Sequence, residues 1–334
     1  MKALLQKIMA GKNLTEEESA QMLALLAETD NYAQAGALLA ALEIKGESVS
    51  ELTGAARYLR EHVTPINVER PCVDVVGTGG DGGISFNVST TAAFVAAGAG
   101  TTIAKHGNRA VSGKSGAADV LAELGYNLDV SPSTVERSIR DNGIGFLFAR
   151  ALHPVMGKVA PLRKALGIHS IFNLLGPLTN PANAEGIVLG VWNKELLPLF
   201  AETLRSLDMK RALVVHSRDG LDEISSVAPT DYALLEGRNI SYGTFLPEEL
   251  LPHNELEGDI SGGTPSDNAK ILRSILEGRE RSAKRGMVVL NAAATCFVAG
   301  LGKDLATCVP LAEQSIDSGA AIRKLHVMVE ASCA

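Results

Sequence analysis

The sequence predicts an α/β fold: a small N-terminal α-helical domain, then a larger α/β domain with a mainly parallel central sheet. Three observations carry this. The first 64 residues hold helix signals and no strand signal. Beyond residue 70, short apolar runs alternate with helical segments, the pattern of βαβ units. The first such run, residues 73–76, leads into Gly77-Thr78-Gly79-Gly80-Asp81-Gly82-Gly83 and then into an alanine-rich helix. The 334 residues exceed a safe length for one compact core, so two domains are expected, 1–65 and 70–334. Part of 163–185 is expected to join the helical one.

Each element has a local cause. Leu4, Leu5, Ile8 and Met9 recur at helical spacing, so the N-terminus reads as a helix and not a secretory leader. Thr15 and Glu18 form a capping box ahead of a helix at 21–28. A helix at 32–45 ends at Gly46. Ser48 and Glu51 make a second capping box, and their helix stops before Thr64-Pro65. Strands are then expected at 73–76, 101–104, 126–130, 145–148, 186–191 and 212–216. Helices are expected at 91–97, 116–124, 132–142 and 194–207, with closing helices at 267–276, 283–300 and 311–329. Residues 153–181, rich in Pro, Gly and Asn, read as too polar at intervals for a core element. They are expected to return to the helical unit or to line a cleft.

Composition narrows the function. Hydrophobic residues make up 46% of the chain, ample for a buried core. A net charge of −7 argues against binding nucleic acid or acidic membranes. Aromatic residues at 4% are too few for stacking platforms along single strands. Cys72, Cys296, Cys308 and Cys333 show no CxxC or zinc spacing and read as thiols of a reducing, cytoplasmic compartment. No run is apolar enough to span a bilayer, so no membrane partner is expected.

The glycine turn is the chemical centre of the reading. Glycines let backbone N–H groups approach a ligand, and a helix start adds unpaired donors and the positive end of its dipole. A phosphate is expected there. Gly77-x-Gly79-x-x-Gly82 matches the dinucleotide spacing, but Lys105-His106 stands where that fold wants a ribose-binding acid. A Walker A reading fails, because Gly107 lies one residue too far upstream of Gly113-Lys114-Ser115. Lys105, Arg109 and Lys114, with Ser112 and Ser115 between, have instead the composition of a polyphosphate cradle. Asp222-Glu223, after a strand and the Asp219-Gly220 turn, suit Mg²⁺ held jointly with substrate phosphates. Arg163 suits bidentate capture of a carboxylate.

Taken in order, Gly77-Thr78-Gly79-Gly80-Asp81, Ser85-Phe86-Asn87-Val88-Ser89-Thr90, Lys105-His106-Gly107-Asn108-Arg109, Asp119, Phe172-Asn173-x-x-Gly176-Pro177-Leu178-x-Asn180-Pro181 and Asp222-Glu223 resemble the anthranilate phosphoribosyltransferase family. Gly262-Gly263-Thr264-Pro265 before a helix fits as well. The resemblance spans nearly the whole chain. It implies a fold like that of the pyrimidine nucleoside phosphorylases, with homodimers formed through the helical domain. It implies transfer of the phosphoribosyl group of 5-phosphoribosyl diphosphate (PRPP) to anthranilate with Mg²⁺, the second step of tryptophan synthesis from chorismate.

The same resemblance implies site residues. Gly77, Gly80, Asp81, Ser85, Asn87, Val88, Ser89 and Thr90 would contact PRPP. Lys105, His106, Gly107, Asn108, Arg109, Ala110, Val111, Ser112 and Gly113 would close over it as a mobile loop, with Ala117 beyond. Ser89, Asp222 and Glu223 would serve the metal; Gly77, Asn108 and Arg163 would hold anthranilate. No general base is evident, His106 being the nearest candidate. Ser85 stands where Thr is frequent, Gly113 and Ala117 where Ser is usual, and His169-Ser170 where Arg-Thr is common. Two rivals are weaker. A pyrimidine nucleoside phosphorylase would carry a Lys-His-Ser-Thr-Gly-Gly-type turn. A nucleic-acid-binding relative would be basic and lack Arg163.

Overall fold

The computed structural model describes residues 1–79, 84–110 and 113–334. Four helices open the chain: α1 (Lys2–Met9), α2 (Glu16–Glu28), α3 (Tyr32–Lys45) and α4 (Val49–Glu61). Both expected capping boxes form. Thr15 accepts from the Glu18 amide while the Glu18 carboxylate accepts from the Thr15 amide, and Ser48 and Glu51 repeat the exchange. Each such cap is worth about 1 kcal/mol.

The sheet follows. β1 (Val73–Gly77), α5 (Val88–Gly98), β2 (Ile103–Gly107), α6 (Ala117–Glu123), α7 (Pro132–Asn142) and β3 (Ile144–Phe148) build one half. After α8 (Ala149–Leu152), α9 (Pro154–Leu166) and α10 (Ile171–Leu175) come β4 (Gly186–Gly190), α11 (Leu196–Ser206) and β5 (Arg211–Ser217). A hairpin, β6 (Thr230–Glu236) and β7 (Asn239–Phe245), completes the sheet. Four helices close the chain: α12 (Pro265–Leu276), α13 (Ala283–Val298), α14 (Leu305–Asp317) and α15 (Ala320–Cys333). Strand order is β3-β2-β1-β4-β5-β6-β7, parallel through β5 and antiparallel beyond.

One face of the sheet is covered by α5 and α12 to α15, through Val75, Phe94, Phe146, Val188 and Leu213. The other face shares a continuous core with the helical unit: Ile187, Leu189 and Val214 pack with Leu23, Leu38, Leu52 and Phe200. Buried on both faces, β4 (Gly-Ile-Val-Leu-Gly) reads as an uninterrupted apolar run.

Four expectations need correction. Residues 126–130 form no strand: Tyr126 and Leu128 are buried, but the Asn127 amide bonds to Ser332 Oγ and no neighbouring strand pairs with them. The segment expected as one helix at 311–329 is two, broken at Gly319, whose φ of +71° lies in the left-handed region. Residues 153–181 do contribute core elements. Val155, Val159, Leu162, Ile171, Phe172, Leu174 and Leu175 are all buried, on helices packed against α2, α3 and α4. The β6–β7 hairpin has no counterpart among the expected elements.

Candidate active site

Parallel strands β1, β2, β4 and β5 end on the same edge of the sheet. The chain runs from β1 to β2 on one side and returns to β4 on the other, so a switch point opens between β1 and β4, where ligand crevices form in open sheets. Gly77 and Gly190 are register partners across it.

Asp222 and Glu223 are delivered to this point by the chain leaving β5, and both are buried. Asp222 Oδ2 accepts a 2.7 Å hydrogen bond from the Gly79 amide. Glu223 Oε1 accepts a 3.2 Å bond from the Ser89 amide in the first turn of α5. The approach is too close for side chains on the strands. A Cβ on Gly190 would lie 1.5 Å from the Asp222 carbonyl oxygen, and one on Gly77 would lie 2.3 Å from Asp222 Oδ2. Gly190 is therefore demanded by the backbone of Asp222, and Gly77 by its carboxylate.

Donors surround the pair. The N-cap of α5, Asn87, makes no side-chain cap bond to its own helix. Its Oδ1 accepts from Ser115 Oγ at 3.0 Å and from Asn268 Nδ2 at 2.9 Å, which ties α5 to the loop after β2 and to α12. Thr90 Oγ1 is buried without a partner, an orphaned hydroxyl at the mouth of α5. Ser85 bridges to Ser261, and Val88 is buried at the helix start. Among the described residues no three His, Cys, Asp or Glu side chains gather as a ready-made metal site. Two carboxylates beside a phosphate-sized crevice fit Mg²⁺, which takes one or two protein carboxylates and completes its shell from substrate oxygens and water.

The segment after β2 corrects the expected cradle. Lys105, His106 and Gly107 belong to β2 and not to a loop, which starts at Asn108. Lys105 is buried, with Nζ donating to the Val75 carbonyl at 2.8 Å. Burial lowers its pKa, while Asp74 and Glu223 hold it up. Arg109 pairs with Asp119 at 2.7 Å, and the other Asp119 oxygen accepts from the Ala110 and Gly116 amides. Two of the three cations thus have internal partners, whereas Gly113 and Lys114 are exposed. Asn108 is exposed and its Oδ1 accepts from the Arg109 amide; Ala117 opens α6. Gly80, Asp81, Val111 and Ser112 lie outside the described residues.

His106 is not an accessible base. It is buried, its Nε2 lies 3.0 Å from His153 Nε2, and burial pushes its pKa well below the ordinary value. His153 is likewise lowered, to about 4, by burial. Both rings are neutral, one donating and one accepting. Arg163 lies on the last turn of α9. Its guanidinium lies 5.5 Å from the Phe172 ring centroid, and no hydrogen bond or ion pair joins it to Gly77 or Asn108. Burial lowers its pKa, the mark of a cation poorly supplied with solvent.

Sequence reasoning missed Asn268. It receives the Gly263 amide at 2.8 Å and donates to Asn87. The Gly-Gly-Thr-Pro helix start ahead of α12 was its available signal. It also gave no role to Asp74, whose buried carboxylate lies under the site.

Known proteins share this sequence and fold. The helical-bundle domain of the glycosyl transferase family matches residues 2–63, and that family's a/b domain matches residues 69–322. The anthranilate phosphoribosyltransferase of Symbiobacterium thermophilum is 48% identical over 99% of this chain and 97% of its own. The crystal structure of the Thermus thermophilus enzyme of that name superposes with a TM-score of 0.90 at 41% identity, covering 99% of both chains. The Saccharomyces cerevisiae enzyme, in complex with PRPP and Mg, gives 0.88 at 29% identity over 99% of this chain and 97% of that one. With its two domains, its crevice and these relatives in accord, the chain belongs to the anthranilate phosphoribosyltransferase family.

Proposed function

We infer that this protein transfers the 5-phosphoribosyl group from PRPP to the amine of anthranilate and releases diphosphate. One observation carries the reading: Asp222 and Glu223, buried, meet the glycine turn and the α5 N-terminus at the β1/β4 switch point. That arrangement suits a diphosphate leaving group together with a divalent cation.

The chemistry replaces diphosphate at C1 of the ribose by an aryl amine. The transition state carries positive charge on the sugar and growing negative charge on the leaving group. Asp222 and Glu223, with the Ser89 hydroxyl, would hold Mg²⁺, which would supply charge neutralisation for the departing diphosphate. Backbone donors of α5 and the Thr90 hydroxyl serve the phosphate oxygens, and the exposed Lys114 adds charge at the rim. Gly77 serves both substrates through its backbone, the space of its absent side chain being filled by Asp222. Asn108 and Arg163 orient anthranilate, Arg163 through its carboxylate, and positioning supplies much of the rate. An aromatic amine is already a neutral nucleophile, so no strong base is needed.

We also read the protein as a cytoplasmic homodimer joined through the helical unit, residues 1–65 with part of 163–185. Met9 on α1 and Ile44 on α3 support this, as large apolar side chains 72% and 87% exposed on neighbouring helices. Sedimentation of wild type against Ile44→Glu tests it.

For the transfer itself, purified protein is mixed with anthranilate, PRPP and Mg²⁺, and loss of anthranilate fluorescence is followed. Loss that needs all three, with diphosphate released, is the expected result. No loss, with PRPP still bound, moves the search to another acceptor.

A further inference from the structure

A buried polar network runs beneath the crevice and joins its two halves. Asp74, on β1, is fully buried. Its Oδ1 accepts from the His106 amide at 3.0 Å, and its Oδ2 accepts from Asn180 Nδ2 at 2.7 Å. Asn180 Nδ2 also donates to the Ala104 carbonyl at 2.9 Å, and its Oδ1 accepts from the Ala182 amide at 2.8 Å. Each polar atom of the Asn180 side chain is therefore engaged. The Lys105 ammonium lies in the fields of both Asp74 and Glu223, so the network reaches the carboxylate end of the crevice.

Asn180 also occupies a mechanical junction. The chain leaving α4 crosses to the sheet here, with the Thr64 amide donating to Leu152 and the Ile66 amide to the Pro181 carbonyl. Arg60 Nε, at the end of α4, donates to the Leu178 carbonyl at 2.7 Å. The same segment continues from α10, whose Phe172 lies under Arg163. A second tie runs from His106 on β2 to His153 at the start of α9. Both ties pass through residues that Asp74 holds directly: Asn180 by its side chain and His106 by its backbone.

We propose that Asp74 is a positioning residue for the acceptor half of the reaction: through Asn180 and the His106 amide it fixes where Arg163 stands relative to the diphosphate end of the sheet. It touches neither substrate. A carboxylate is required because it alone offers two acceptors to two fixed donors while also balancing the Lys105 ammonium. The inference rests on the reading of Arg163 as the anthranilate holder.

The test uses full-length Asp74→Asn, Asn180→Ser and the exchange Asp74→Asn/Asn180→Asp. In Asp74→Asn the new carboxamide has one acceptor and turns a donor toward Asn180, so the tie is lost. The exchange restores the bond between the two side chains with donor and acceptor reversed, but leaves the Ala104 carbonyl without the donor that Asn180 supplies. Misplacement of a binding group by about an ångström costs on the order of tenfold to a hundredfold. Asp74→Asn is expected to raise the anthranilate KM about tenfold and to hold the PRPP KM within about twofold, and the exchange is expected to recover part of the loss. Asn180→Ser, which leaves Lys105 its partner, is expected to show the same split should Asp74→Asn fold poorly. Equal changes in both KM values, or no change in either, would overturn the proposal. Hydrogen exchange of amides 171–183 gives a readout independent of turnover. It is expected to accelerate in Asp74→Asn and to slow part of the way back in the exchange; unaltered protection would overturn the proposal as well. If wild type fails to consume anthranilate, the transfer reading falls, and hydrogen exchange alone still decides whether the tie exists.

Discussion

Asp222 Oδ2 lies 2.7 Å from the Gly79 amide nitrogen, joining residues 143 apart in sequence. This bond fixes the first part of the glycine turn to the carboxylate pair. It sits where a Cβ on Gly77 would come within 2.3 Å of the same oxygen. Gly77→Ala is expected to push Asp222 aside and cost about 1–3 kcal/mol of stability as overpacking. PRPP affinity should fall by more than that stability loss accounts for. Gly157→Ala is the control: nothing lies within 4 Å of a Cβ there, and alanine in the interior of α9 is expected to stabilise by about 0.5–1 kcal/mol. Urea denaturation and calorimetric PRPP titration of the two variants check both statements. Equal PRPP affinity in Gly77→Ala and wild type would refute the first.

The double substitution Asp222→Asn/Glu223→Gln keeps an oxygen acceptor for the Gly79 and Ser89 amides, so the fold should survive. The two negative charges are gone. Activity is expected to fall by roughly 10²-fold or more, as when a group stabilising transition-state charge is removed. The Mg²⁺ concentration for half-maximal rate should rise. A metal-response curve superimposable on wild type would remove these carboxylates from the metal.

How much of this was legible follows from the range of each interaction. The capping boxes at Thr15/Glu18 and Ser48/Glu51 act over three residues, and sequence inspection finds them. The glycine turn and the adjacent Asp222-Glu223 are compact signals too. That the two meet depends on register between β1 and β4 and on the path after β5, which no local pattern encodes. Residues 126–130 alternate like a strand because Tyr126 and Leu128 pin a connector to the core. β6 and β7 were missed although Gly237-Arg238 between them is a two-residue turn led by glycine, a readable hairpin signal. Lys105 and His106 looked like loop residues for their charge, yet β2 carries them inward because the Val75 carbonyl, Asp74 and His153 satisfy them there. Polar residues predict exposure only where no buried partner waits.

Arg163 tests the acceptor side. Its pKa is lowered by burial, and the Phe172 ring supports its guanidinium. A carboxylate arriving there would gain a charge-assisted, bidentate contact. Arg163→Ala is expected to cost about 2–5 kcal/mol in anthranilate binding, read as a KM increase on the order of 30-fold or more. The PRPP KM should remain near wild type. Arg163→Lys is expected to recover little, because a point charge does not reproduce the planar fork. An unchanged anthranilate KM in the alanine variant would take Arg163 out of the site.

The His106–His153 pair makes a prediction about pH. Burial depresses both pKa values, His153 to about 4 and His106 well below its ordinary value. In the unfolded chain each imidazole titrates near pH 6.5. Between about pH 6.5 and pH 4 the unfolded state therefore binds more protons than the folded one, so stability rises with pH across that window. The contribution is fully present above about pH 6.5 and is lost as pH falls toward 4. For His153 it amounts to about 3 kcal/mol. Denaturant midpoints measured from pH 7.5 down to pH 5 should decline accordingly. His153→Gln keeps a group able to bond to His106 but cannot charge, so its decline should be visibly shallower than wild type. Parallel declines in the two proteins would mean that the buried imidazole takes up its proton without unfolding, and that the pair is less enclosed than its geometry indicates.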